Sequence, residues 1–200
     1  MNEYDIFTSL GFYLKRDFLD ASLCEEMRAE MNTQAYEDGY VKTADRGYIV
    51  DMSVRRTRVA DVSVNYAYMI KDRLEELKPD IENFFIRQLS LQEKPQFLLY
   101  EQGGYYAPHR DIPSEPVEPE AKIKGRSVSI VIFLNDRAGA HSYTGGELVF
   151  YGLSDDPQWK DYGLPLEAET GLLVAFRSEM LHEVRPVTDG KRYTIVTWFY

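Results

Sequence analysis

Two hundred residues are enough for one domain with a sizeable core and leave little room for two. Hydrophobic residues make up 44% and charged residues 28%, the balance of a folded protein rather than a disordered one. A formal net charge of −10 repels phosphate backbones and argues against nucleic-acid partners, and the basic run Arg55, Arg56 and Arg58 is too short to reverse that. Cys24 is the only cysteine, which excludes an intrachain disulfide and a thiolate-rich metal site. Met1 to Gly11 lacks the basic-then-apolar pattern of a leader, and no apolar run is long enough to cross a bilayer. The expectation is a cytoplasmic protein without a membrane partner, and nothing in the sequence indicates its oligomeric state.

Taken in order, the first half reads mainly as helix. Ser22 with Glu25 three positions on has the form of a capping box, and Leu23, Met27 and Met31 then recur every four residues on one face. The segment Asp38 to Arg58 is polar, contains glycine and has no clear period. A second helix is expected over Val62 to Leu77, with Tyr66, Met69, Ile70, Leu74 and Leu77 as its apolar stripe. Pro79 is expected to break it and open a short helix carrying Phe84, Phe85 and Leu89.

The second half reads as short strands at Gln96–Glu101, Ser127–Leu134, Glu147–Tyr151, Leu172–Phe176 and Arg192–Phe199, punctuated by Gly103-Gly104 and Gly145-Gly146. Two long loops, Ile112 to Gly125 and Leu153 to Gly171, have the length of lids or binding walls. Helices followed by many short strands predict a mainly β fold with N-terminal helices. The specific expectation is a double-stranded β-helix, a cupin-like jelly roll buttressed by helices. One domain is expected over 1–200, with 1–90 as helical support and substrate-side segment and 91–200 as the jelly-roll core.

The chemistry gathers around few residues. In an extended segment His109 and Asp111, two apart, point the same way and could grip one ion. His182, after the apolar stretch Gly171 to Phe176, is the second histidine that a barrel could bring to them. Two histidines and a carboxylate form a facial triad with positions left open, whereas a structural zinc site closes its shell. Period two places Arg192, Thr194, Val196 and Trp198 on one face of the last strand. If that face is buried, Arg192 needs a carboxylate partner. His141, in a Gly/Ser/Tyr-rich turn, reads as surface. Most of the aromatic residues near the motifs read as core, with Tyr106 and Trp198 as those that face a cavity.

From Gln96 to Tyr200 the chain resembles the prolyl 4-hydroxylase-like branch of the Fe(II)/2-oxoglutarate-dependent oxygenases, and most of all the oxygen-sensing prolyl hydroxylases and their bacterial relatives. The resemblance rests on four ordered stretches: Tyr100 to Asp111, Arg126 to Asn135, Gly145 to Phe150, and His182 to Tyr193. It implies Fe(II) on His109, Asp111 and His182, and 2-oxoglutarate anchored by Arg192 with Tyr100 lining its pocket. O2 is then a cosubstrate, and ascorbate a further reductant. Tyr106 matches a position near the substrate mouth. Asp51 to Val59 resembles a substrate-side segment, which nominates Arg58. In one departure, Phe133 stands where the oxygen sensors have a second tyrosine contacting the cosubstrate.

The resemblance implies hydroxylation of an unactivated C–H bond with release of succinate and CO2. Asp111 favours this over halogenation, for which relatives have a small residue there. The expected substrate is an amino acid, a peptide or a small natural product, and the alternative is a prolyl residue of a protein. Two other classes stay open: a catalytically silent jelly-roll binding module, and a metal enzyme of cupin type that makes no use of 2-oxoglutarate.

Overall fold

A computed structural model of the chain describes residues 3–43, 47–90, 92–112, 125–139, 141–154, 156, 158 and 161–200. Helix α1 (Glu3–Ser9), strand β1 (Tyr13–Lys15) and helix α2 (Ala21–Thr33) come first. Five short strands follow, β2 (Tyr36–Asp38), β3 (Val41–Thr43), β4 (Gly47–Ile49), β5 (Arg55–Arg56) and β6 (Arg58–Ala60), and then the long helix α3 (Val64–Phe85). The rest of the described chain is strand and loop. It holds β7 (Gln96–Tyr100), β8 (Tyr105–His109), β9 (Val128–Phe133), β10 (Thr144–Gly145) and β11 (Leu148–Tyr151), then β12 (Leu164–Leu166), β13 (Leu173–Arg177), β14 (Leu181–Val184), β15 (Val187–Asp189) and β16 (Arg192–Phe199).

The strands make a jelly roll. A seven-stranded sheet runs β1-β13-β9-β16-β7-β6-β2, and a five-stranded sheet runs β12-β11-β14-β8-β5. The pairs β10–β15 and β3–β4 stand apart as two-stranded ribbons. The central strands of the larger sheet read as unbroken apolar runs because both of their faces are covered. On one face Phe97, Leu99, Ile130, Ile132, Ile195 and Phe199 pack against the two longer helices. On the other, Leu98, Val131, Phe133, Val174 and Phe176 pack towards the smaller sheet. Period two therefore sends alternate residues of β16 into two different cores. Arg192, Thr194, Val196 and Trp198 belong to the inter-sheet side, as the sequence pattern predicts.

Both helix boundaries differ from expectation. Helix α2 is capped by Asp20, whose carboxylate accepts from the Leu23 backbone N–H at 2.8 Å, so Ser22 falls within the first turn. Of the expected apolar stripe, Met27 and Met31 are buried and Leu23 only partly so, while Cys24 beside it is fully buried. Pro79 does not break α3, which runs 22 residues through it. Proline forfeits one hydrogen bond, but Ile81 and Phe85 continue the stripe of Ile70, Leu74 and Leu77 against the sheet. Their burial, at about 2 kcal/mol per large side chain, covers the loss.

The first ninety residues are also less purely helical than their pattern suggests. Strands β1, β2 and β6 join the larger sheet and β5 the smaller one. The segment Asp38 to Arg58, which has no clear period in the sequence, holds β3, β4 and β5 and joins β2 to β6. Of the two long loops, Leu153 to Gly171 contains β12, which pairs with β11. Most of Ile112 to Gly125 lies outside the described residues.

Candidate active site

His109 ends β8, and His182 sits directly opposite it on β14. The next registered pair is Val184 with Tyr106, so β8 advances three residues while β14 advances two. This bulge turns Tyr106 and His109 onto one face, where their rings stack at 3.5 Å and 16°. Asp111 lies just past the strand, its backbone N–H held by the Ser178 carbonyl at 2.9 Å. One Asp111 oxygen is 3.7 Å from His109 Nε2 and the other 3.6 Å from His182 Nε2. The three potential ligand atoms all lie within 4.8 Å of one another.

Each of these side chains is oriented from behind. His109 Nδ1 lies 2.8 Å from the Ala107 carbonyl, and His182 Nδ1 lies 2.9 Å from the Met180 carbonyl. A carbonyl can only accept, so both Nδ1 atoms carry the proton and both Nε2 lone pairs face Asp111. Ser129 Oγ donates to Asp111 Oδ2 at 2.6 Å and is itself 2.9 Å from Ser178 Oγ. The Trp198 indole also favours the ionised carboxylate. Such outer partners fix metal-binding side chains before any metal arrives.

The electrostatics agree with that purpose. Burial, and then the charge of His182, push the His109 imidazole far below its ordinary pKa, against the pull of Asp111. Burial works against ionising Asp111, but His182, His109, Ser129 and Trp198 outweigh it and hold its carboxyl below the usual range. A neutral imidazole and an ionised carboxylate are the forms that bind metal. For Tyr106 burial dominates and pushes the phenol up to about 12, so it stays protonated.

Arg192 opens β16 opposite Tyr100 on β7 and is only 1% exposed. Its Nη1 donates to Thr194 Oγ1 at 3.2 Å, and the Tyr143 ring lies beside its stem. The guanidinium lies 5.0 Å from the Tyr100 ring centre and 5.3 Å from that of Phe133. Its Nε has no hydrogen-bond partner, and among the described residues none of its recorded partners is a carboxylate. A buried cation without an anion is costly, which fits a site built to receive one.

The structure thus gathers His109, Asp111, His182, Tyr106 and Trp198 in one place, and Arg192 with Tyr100 in another on the same inter-sheet side. It does not bring Arg58 to either. Arg58 lies on β6, half-exposed, and pairs with Glu101 at 3.1 Å. The arginine that approaches the triad is Arg55, buried on β5 opposite Tyr106, with its guanidinium 4.9 Å from the Tyr106 ring centre. The sequence reading nominated Arg58 where Arg55 is the member that turns inward, because two-residue strands carry no readable period. Arg126 is likewise unforeseen. It stacks 3.6 Å from the Trp198 ring centre and is held by Glu93 at 2.5 and 2.7 Å. His141 is exposed, as expected.

Comparison with known proteins agrees with the geometry. Residues 95–200 match the model of the 2OG-Fe(II) oxygenase superfamily, whose members use iron and 2-oxoglutarate. A PKHD-type hydroxylase of Psychrobacter sp. is 34% identical over 104 residues, 52% of this chain and 36% of that protein. One of Pseudoalteromonas atlantica is 25% identical over 166 residues, 83% of this chain and 62% of that protein. The chain therefore spans from about a third to under two thirds of the length of these two relatives. In fold it is similar to a Pseudomonas putida prolyl-4-hydroxylase, with TM-score 0.69, 23% identity, and 98% and 95% of the two chains covered. It is also similar to a Trichoplax adhaerens prolyl hydroxylase solved with a hypoxia inducible factor peptide fragment, with TM-score 0.64, 17% identity, and 100% and 94% covered. With the family model matching just over half of its residues, the chain belongs to the 2OG-Fe(II) oxygenase superfamily.

Proposed function

We propose that the chain is a hydroxylase in which His109, Asp111 and His182 hold Fe(II) and Arg192 holds the far carboxylate of 2-oxoglutarate. The observation that carries this is the pairing of two incomplete sites on one buried face. A His/Asp/His set has its lone pairs convergent, and an arginine shielded from water has no carboxylate partner among the described residues. When bound, iron and 2-oxoglutarate together supply the oxidising power to hydroxylate an unactivated C–H bond, with succinate and CO2 as by-products.

The chain's own residues supply position and dryness. Ala107 and Met180 fix the imidazole tautomers, and Ser129 and Trp198 fix the carboxylate. Arg192 offers a planar fork suited to a carboxylate, and the Tyr100 and Phe133 rings beside it exclude water. Tyr106 and Arg55 form the substrate side next to His109, where a protonated phenol and a guanidinium are both donors. They suit a substrate that presents carbonyl or carboxylate oxygens, such as an amino acid, a peptide or a small natural product. The relatives named prolyl hydroxylases support the alternative of a prolyl residue in a protein, although a shared fold does not fix a substrate.

The test is succinate formation from 2-oxoglutarate under air with Fe(II), followed by mass spectrometry of amino-acid and peptide candidates for a gain of one oxygen atom. Turnover that disappears in Asp111→Ala supports the reading. Turnover undiminished in Arg192→Met would point to a cupin-type enzyme that makes no use of 2-oxoglutarate. Cosubstrate binding without any turnover would point to a silent binding module.

A further inference from the structure

Arg192 lies beside a residue that the family resemblance does not nominate. Tyr143 stands two positions before Gly145-Gly146 and is 2% exposed. A guanidinium can only donate, so towards Arg192 the Tyr143 oxygen can only accept. A hydroxyl that accepts in this way still has one proton to give. Burial raises the phenol above its ordinary pKa against the lowering influence of Arg192, so that proton is present at neutral pH.

The surrounding backbone is shaped to permit this contact. Gly146 has φ +65°, and a Cβ there would lie 3.0 Å from Arg192 Cδ and 3.2 Å from Tyr143 Cε2. Gly190 has φ +75°, and a Cβ there would lie 2.6 Å from the Ser142 carbonyl and 3.1 Å from Tyr143 Cα. Two glycines in left-handed conformation thus let the Tyr143 ring lie along the Arg192 stem. Phe133, also beside the guanidinium, has no hydroxyl to offer.

We propose that the Tyr143 hydroxyl donates a hydrogen bond to the far carboxylate of 2-oxoglutarate, a positioning role that Phe133, with no hydroxyl, cannot fill. The inference rests on the cosubstrate reading above. Arg192 and Tyr143 act as one unit in it: the arginine supplies charge, and the phenol a directed donor held in place by that arginine.

The experiment is anaerobic calorimetric titration of the Fe(II)-loaded protein with 2-oxoglutarate, and separately with 2-oxobutyrate, which lacks the far carboxylate. Tyr143→Phe should raise the Kd for 2-oxoglutarate by about tenfold, the scale of one hydrogen bond to a charged group. It should leave the Kd for 2-oxobutyrate within about twofold, where a loss of packing would weaken both. Adding Phe133→Tyr to that variant should recover most of the affinity, whereas Phe133→Tyr alone should gain little. An unchanged Kd for 2-oxoglutarate in Tyr143→Phe, or an equal loss for both ligands, overturns the inference. Should Tyr143→Phe fail to fold, a large gain from Phe133→Tyr alone would overturn it, since that gain requires the donor position to be vacant. Failure of the wild-type protein to bind 2-oxoglutarate at all would instead overturn the cosubstrate reading itself.

Discussion

Arg192 concentrates the cost of the site in one side chain. Its charge is buried with two hydroxyls and two ring faces for company, and its Nε lacks a partner. Arg192→Met keeps the length of the side chain and removes the charge. The ligand-free variant should be more stable than the parent by about 1–2 kcal/mol, because a buried charge without a counter-ion opposes folding. The same variant should lose stabilisation by added 2-oxoglutarate. Thermal melts with and without the ligand check both effects, and a drop in ligand-free stability would mean that Arg192 is mainly structural. This residue was legible in the sequence because it sits at a readable period-two position in a long strand. Tyr143 was not, because it lies in a short turn where no period exists and its neighbour Arg192 is 49 residues away in the chain.

Elements were legible where they are long and uniformly buried. Strands β7, β9, β13 and β16 fall within a residue or two of their expected bounds, since burial on both faces leaves an unmistakable apolar run. Strands β5, β8 and β14 were not foreseen as strands, yet they carry Arg55, His109 and His182. They are short and only partly apolar, and the β8–β14 bulge changes which side chains share a face. Helix α3 illustrates tertiary override, since packing of Ile81 and Phe85 carries it through Pro79. Its end shows a residual local conflict. Ile86 closes the helix at φ 51° while 93% exposed, and a β-branched residue resists that left-handed conformation. Ile86→Gly relieves the strain and loses no buried surface, so it should raise stability by about 0.5–1 kcal/mol after the entropy of glycine is counted. Urea unfolding checks it, and a loss of stability would show that the strain is compensated elsewhere.

For the whole molecule, the jelly roll was legible from helices followed by short strands, whereas the way the first ninety residues build into it was not. They supply strands to both sheets, and the join is close. The Leu19 N–H donates to the Gly171 carbonyl, and the Gly171 N–H donates to that of Phe133. Gly171 has φ +82°, and a Cβ there would come within 1.9 Å of the Leu19 carbonyl oxygen. Gly171→Ala must therefore separate the N-terminal segment from β9, and it should cost about 2–4 kcal/mol in unfolding experiments. A loss below about 0.5 kcal/mol, the range of ordinary surface changes, would mean that this junction carries little of the fold. The two incomplete sites that this scaffold holds on its inter-sheet face are the centre of the account. Their most direct test is an anaerobic titration of the protein with Fe(II) and then 2-oxoglutarate, followed by the weak visible metal-to-ligand charge-transfer band. The wild type should show a saturable band, His182→Ala no band, and Arg192→Met a band demanding far more 2-oxoglutarate. Folded, iron-loaded wild-type protein that shows no band, or a His182→Ala variant that shows it undiminished, would contradict the proposed site.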